Sequence, residues 1–287
     1  MINNFLLLEF NYFIFIFFCD KLKVDVTLGG NMEHPIFLLI TFILMGGAFG
    51  LIYGLKPSFK TVFTVACIGC VISEVVKTFS CMKFAMLDGQ IVPYISMAHV
   101  PLHLCSIQIL FIFLVRFMKN DSRAKSVLVA FMFPTFIIGA ALALAIPGDI
   151  SFTNPQSYQY FFYHGMLIVL GIYIMTQKEV KILPKHYFST LAILGAMAFM
   201  SIYTNSILAH YSFENGEAVL KDITNFFFVM KSPLPSIIPF TEKWHWYLYI
   251  CAIIVIAFVA IALLYIPFFV KAQKEKRKIH TEDLTSR

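Results

Sequence analysis

The sequence predicts an all-α fold: a polytopic membrane helix bundle of seven transmembrane helices, preceded by an N-terminal interfacial helix. Three observations predict it. Hydrophobic residues make up 59% of the 287 and charged residues 13%, about half the share usual in a globular domain. Seven apolar runs are each long enough to cross a bilayer. The basic residues between the runs alternate in density from one side to the other.

The N-terminal residues are apolar, but Glu9 interrupts them, no basic segment precedes them and no small-residue cleavage site follows. A cleaved signal peptide is not expected. Residues 4–18 would reach ~22 Å as a helix, short of a ~30 Å hydrocarbon core. They read as an interfacial helix, with a short span as the alternative.

The seven runs cover residues 36–53, 61–79, 97–117, 126–146, 158–175, 187–207 and 246–269. Lys56-Pro57-Ser58 separates the first two, Pro147-Gly148-Asp149 ends the fourth, and Asn154-Pro155 precedes the fifth. The first run carries Gly46, Gly50 and Gly54, a doubled GxxxG that predicts close contact with a neighbouring helix. The connection between the last two runs is long for a bundle, a length often found in site covers. The domain reading is an interfacial segment over 1–33, a seven-helix membrane domain over 34–270 and a basic tail over 271–287.

Basic residues set the expected orientation. Fifteen lie in one set of loops and the tail, among them Lys56, Arg116, Lys119, Lys178, Lys181, Lys271 and Lys274; six lie on the other side, Lys21, Lys23, Lys83, Lys221, Lys231 and Lys243. The tail is then cytoplasmic and the protein a multi-pass component of the cell membrane. This scatter accounts for the net charge of +6 and gives no nucleic-acid signal. The expected partners are membrane lipids. The six cysteines lie mostly in apolar runs, so they do not form a secreted disulfide framework. Cys67 and Cys70 make a CxxC on a predicted membrane helix, without the strand and helix context of a redox motif; small-residue packing is the simpler reading.

Polar groups inside apolar runs are costly, which makes them functional candidates. Given alternating spans, Glu74, Lys77, His99, His103, Cys105, His164, Asn205 and His210 all fall towards one membrane face, as do His245 and Trp246 at the start of the last run. Each also has a plainer role. Glu74 and Lys77 are spaced to neutralise each other. Lys77 can snorkel. His103 and His164 can bond a neighbouring helix, Cys105 can pack as a small hydrophobe, and Trp246 can anchor at the interface. On a regular helix His103 and Cys105 would point ~200° apart. Cys105 would share its face with Pro101 and Gln108, and both His103 and Cys105 could line one cavity only if the helix is central or bends near Pro101. A thiol and an imidazole are a minimal kit for acyl transfer.

Several of these segments resemble a known family. Pro101-Leu102-His103-Leu104-Cys105-Ser106, Phe161-Phe162-Tyr163-His164-Gly165 and Glu74 are similar to the YwaF-type integral membrane proteins and the eukaryotic transmembrane protein 164 family. So are Thr224-Asn225-Phe226-Phe227-Phe228-Val229-Met230-Lys231-Ser232-Pro233 and His245-Trp246-Tyr247. The resemblance covers roughly residues 34–270. It implies a multi-span lipid acyltransferase that moves an acyl chain onto a lysophospholipid, with Cys105 as nucleophile.

On this reading Cys105, His164 and His103 are the catalytic candidates: His164 as base, His103 or Asn205 at the oxyanion, and Glu74 as a group that orients a histidine. Glu74, Lys77, Gln108, Asn205, Asn225 and Trp246 are the substrate-binding candidates. No metal or cofactor is expected. The alternative is a non-enzymatic lipid or solute carrier with an intramembrane polar site. A zinc-dependent lipid hydrolase using His103, His164 and Glu74 is a minor alternative, disfavoured because the last span lacks a histidine pair.

Overall fold

The computed structural model describes residues 32–148, 150–214, 217–232 and 241–285. The segment 4–18, expected to lie at the interface, falls outside the described residues. Seven α-helices and two β-hairpins make up the described chain. They run α1 Glu33–Leu55, α2 Phe59–Cys81, β1 Met82–Leu87, β2 Gln90–Ile95, α3 Leu104–Phe117, α4 Arg123–Ala145, α5 Pro155–Thr176, α6 His186–Ile207, β3 His210–Glu214, β4 Glu217–Asp222 and α7 Lys243–Thr285.

Local chemistry places the helix ends. Lys56 adopts a left-handed conformation (φ 47°) that stops α1, and its amide still donates to the Ile52 carbonyl at 3.0 Å. Two residues on, the Ser58 hydroxyl accepts from the Thr61 amide and caps α2. Asn154 caps α5 through the Gln156 amide, with Pro155 at the first helical position. Among the described residues six helices are long and apolar enough to cross a membrane, α1, α2, α4, α5, α6 and α7. Their outward faces carry Leu39, Ile43, Ile68, Ile72, Phe199 and Ile256 in the open, which suits contact with membrane lipid. The protein is an all-α, multi-pass membrane protein.

The seventh helix corrects the sequence reading. The third apolar run was expected to form one span over 97–117, but α3 begins only at Leu104 and has 14 residues. A short 3₁₀ turn over Met97–His99 precedes it, and Val100 is extended (ψ 137°). Pro101 explains the late start, because a residue before proline is pushed out of the helical region. At the other end of the chain, α7 runs unbroken for 43 residues through the start of the basic segment at Lys271. The hairpins were not expected. In the first, Asp88 (φ 50°) and Gly89 (φ 79°) form the turn between Leu87 and Gln90.

The chain divides into two compact units, and residues of α3 and α4 belong to both. One takes the described residues through Ile95, with Ile112–Phe117 and Phe136–Glu179. The other takes Ser96–Phe111, Met118–Thr135 and the described residues from Val180 onward.

In the first unit α5 is the shared partner of α1 and α2. Phe37 stacks on Phe161 at 4.9 Å, and one turn further Thr41 meets Gly165, so α1 and α5 run in the same direction. Gly69 lies against Met166, and one turn on from Gly69 Ser73 accepts from Gln159 at 2.7 Å, so α2 runs the opposite way. These directions agree with alternating spans. The glycines that permit close approach are Gly165 and Gly69. The GxxxG stripe does not do so: an added Cβ at Gly46, Gly50 or Gly54 would meet nothing within 4 Å among the described residues.

In the second unit two buried hydroxyls meet at one carbonyl. Thr190 on α6 and Tyr265 on α7 both reach the Ala130 carbonyl of α4, at 3.2 and 2.9 Å. Each otherwise costly polar group in the apolar interior is thereby satisfied.

Candidate functional site

Cys105 lies in the first turn of α3, where the amides have no helical partner and a negative charge is favoured. His103 sits just outside the helix; its carbonyl accepts from the Ile107 amide at 3.0 Å and opens the helical ladder. The ~200° separation expected on a regular helix therefore does not apply. The His103 ring meets Phe226 edge-on, with centroids 4.9 Å apart and planes at 78°, and lies 6.4 Å from Phe228.

Phe226 belongs to a second 3₁₀ turn, Phe226–Phe228, in the long connection before α7. Phe227 (φ 59°) and Phe228 (φ 55°) are both left-handed. For bulky residues that costs about 1–3 kcal/mol each, and it persists only where surrounding contacts enforce it. Those contacts come from several directions. Asn205 on α6 accepts from the Phe226 amide (2.9 Å) and the Thr224 hydroxyl (2.9 Å), and its amide donates to the Phe226 carbonyl at 3.2 Å. Asn225 accepts from the Met230 and Lys231 amides and donates back to the Lys231 carbonyl at 2.8 Å. On α7, the Trp246 indole donates to the Val229 carbonyl (2.8 Å) and the Tyr249 hydroxyl to the Phe228 carbonyl (2.7 Å). Asn205, Asn225 and Trp246 thus meet one aromatic turn. Tyr249 and Thr224 complete the set, and sequence reading missed both.

An apolar groove of about 260 Å³ opens on this side of the turn. Leu102 and Ile107, which bracket Cys105 in sequence, line it together with Ala196, Met200, Phe226 and Phe227. Gln108 lies deeper, 1% exposed. Its amide donates to the Thr135 hydroxyl at 2.8 Å, and that hydroxyl donates in turn to the Phe131 carbonyl. The Gln108 carbonyl oxygen is buried and accepts from nothing among the described residues.

The other candidates belong to the first unit. His164 is 4% exposed on α5. Its Nδ1 lies 2.7 Å from the Tyr160 carbonyl. A carbonyl only accepts, so Nδ1 carries the proton, and in the neutral form of the ring the lone pair is on Nε2. That Nε2 is buried and has no hydrogen-bond partner among the described residues. Tyr160 is itself fixed, its hydroxyl donating to the Ala143 carbonyl at 2.6 Å. Glu74 and Lys77 form an ion pair at 3.0 Å along α2, as their spacing implied. Among the described residues no three His, Cys, Asp or Glu side chains come together as a metal site requires.

Taken singly, these groups offer a thiol at a helix start, an imidazole beside an aromatic turn, a second imidazole whose Nε2 has no partner among the described residues, and an ion pair on α2. The model of the TMEM164 family matches residues 29–265. The chain belongs to the TMEM164 family. The match bears out the resemblance to the transmembrane protein 164 proteins, and it takes in every candidate residue from Glu74 to Trp246. No curated protein and no solved structure matches the chain. The TMEM164 span also takes in Thr224, Phe226 and Tyr249, the residues that fix the aromatic turn.

Proposed function

We propose that this TMEM164-family protein transfers an acyl chain between membrane lipids through a thioester on Cys105. The observation that carries the reading is the tautomer of His164. Tyr160 holds the proton on Nδ1, which leaves Nε2 as a buried nitrogen with no partner among the described residues, suited to act as a base. We assign His164 the role of base for the Cys105 thiol; in the first half-reaction the base takes the thiol proton and the thiolate attacks the carbonyl carbon of an acyl ester. The ester bond breaks, and the departing alkoxide takes the proton from Nε2. In the second half-reaction the hydroxyl of a lysophospholipid gives its proton to Nε2 and attacks the thioester. The new ester forms, the C–S bond of the thioester breaks, and the departing thiolate takes the proton back from the base.

His103 faces the oxyanion in both halves. Asn205 acts as a positioning residue, since it holds the turn on which His103 rests. Glu74 and Lys77, already paired, suit the opposed charges of a zwitterionic headgroup. The tail from Lys271 lies on the cytoplasmic side of the cell membrane. The test is lysophospholipid acylation by purified protein in liposomes, comparing wild type with Cys105→Ala, His164→Ala and the double variant. Each single variant is expected to lose nearly all turnover and the double variant little more, because residues acting as one unit are not additive. Full activity in Cys105→Ala would sink the thiol route. Lipid movement across the bilayer without turnover would favour carriage instead.

A further inference from the structure

The groove beside the aromatic turn has no role in the steps above, and its construction is specific. Its walls are almost wholly apolar. The two hydroxyls that reach it, Ser201 and Thr204, both donate to carbonyls of their own helix, Ala198 at 2.6 Å and Met200 at 3.1 Å. Their protons are committed, so neither hydroxyl offers a donor to a polar guest. The groove is continuous with the lipid-facing surface of α6, because Met200 both lines it and is 61% exposed. Phe199 and Tyr203 on either side of Met200 are also exposed. At the depth of a membrane helix, a guest entering from that surface is hydrocarbon.

The far wall is the strained part. Phe226 and Phe227 line the groove, and Phe227 is left-handed. Asn205, Asn225, Trp246 and Tyr249 all hold the same turn. Strain maintained by several independent contacts is found at ligand clamps, and here it sets a rigid aromatic edge at a fixed distance from α6. Facing it are Ala196, the smallest side chain of the lining, and Met200, a flexible one. One wall is stiff and the other accommodating, which suits a chain of variable shape.

We infer that this groove binds one acyl chain of a membrane lipid, with Phe227 setting how the chain lies and Ala196 giving it room. The inference deepens the acyl-transfer reading and rests on it for what the chain is there to do. An almost wholly apolar lining of this extent suits a stretch of chain rather than a headgroup. Leu102 and Ile107 put the groove beside the His103–Cys105 segment, so a chain lying in it would bring its carbonyl end towards that segment.

The experiment uses the full-length protein in nanodiscs containing a phosphatidylcholine with a photoreactive diazirine in its acyl chain. After illumination the label is mapped to peptides, with and without an excess of the same lipid unlabelled. The expected result is saturable labelling of the α6 peptide holding Ala196 and Met200 and of the peptide holding Phe227. Ala196→Trp fills the groove and should reduce that labelling about tenfold, while labels on other lipid-facing helices stay as in wild type. Should the Trp variant fail to fold, Ala196→Leu with the same competition in wild type serves instead. Labelling of α6 that does not saturate, or that is unchanged in the folded variant, overturns the inference. Saturable groove labelling in a protein with no acyl transfer leaves the groove standing and removes the reaction. Acyl transfer with no groove labelling does the reverse.

Discussion

The side-chain amide of Asn205 holds both backbone groups of Phe226, accepting from its amide at 2.9 Å and donating to its carbonyl at 3.2 Å. Asn205 is fully buried, and its oxygen also takes the Thr224 hydroxyl. Removing it strands several buried polar groups at once, each at a cost of about 1–3 kcal/mol. Asn205→Leu should therefore lower the unfolding temperature in detergent markedly. Asn205→Asp should also destabilise, because it keeps the acceptor and loses the donor to Phe226. An unchanged melting temperature in Asn205→Leu would show that the turn does not depend on this clamp.

Gln108 predicts the opposite sign. It makes one good hydrogen bond to Thr135 and leaves its own carbonyl oxygen buried without a partner among the described residues. Methionine matches its length and removes both the bond and the orphan. Thr135 keeps its own bond to the Phe131 carbonyl. Gln108→Met should change stability by less than about 1 kcal/mol, or raise it. A loss above ~2 kcal/mol in chemical unfolding would mean the oxygen has a partner in the membrane.

The glycines separate cleanly. A Cβ on Gly165 would lie 2.8 Å from the Thr41 methyl, and a β-branched side chain in a helix has little freedom to move. A Cβ on Gly69 would lie equally close to the Met166 sulfur, which can swing away. A Cβ on Gly50 would meet nothing within 4 Å among the described residues. Gly165→Ala should cost about 1–3 kcal/mol, Gly69→Ala less, and Gly50→Ala nothing or a small gain from helix propensity. The ranking is read from unfolding temperatures of the three variants. A Gly50→Ala loss as large as that of Gly165→Ala would reveal a helix neighbour for the GxxxG face.

The bias of basic residues predicts the side on which the chain ends. A pair of reporters fused after Arg287, one active in the cytoplasm and one outside, should give signal only from the cytoplasmic partner. Signal only from the outside partner would invert the orientation.

Much of this fold was legible in the sequence. α1, α2, α4, α5 and α6 start and end within three residues of the apolar runs, because span length is set by bilayer thickness and Pro, Gly and Asn mark the ends. The late start of α3 was signalled by Pro101 and overridden by the length of the apolar run. Asp88-Gly89 was a readable hairpin signal, masked by the apolar residues around it. The residues of the proposed site can be named from the sequence, but their supports cannot. Tyr160 fixes His164 from one turn back, a relation that needs the ring orientation. The left-handed Phe227 and Phe228 could not be read at all, since nothing in a phenylalanine favours that conformation. It is imposed from α6 and α7, far away in sequence.

The central claim is a covalent one, and the most direct measurement looks for the covalent species. Purified protein in liposomes is given a phospholipid radiolabelled in its acyl chain, then denatured rapidly and digested. The account predicts label on the peptide bearing Cys105, released by neutral hydroxylamine as a thioester is, and absent from Cys105→Ser. Wild type that acylates lysophospholipid while carrying no hydroxylamine-sensitive label, or Cys105→Ser that turns over at the wild-type rate, would contradict it.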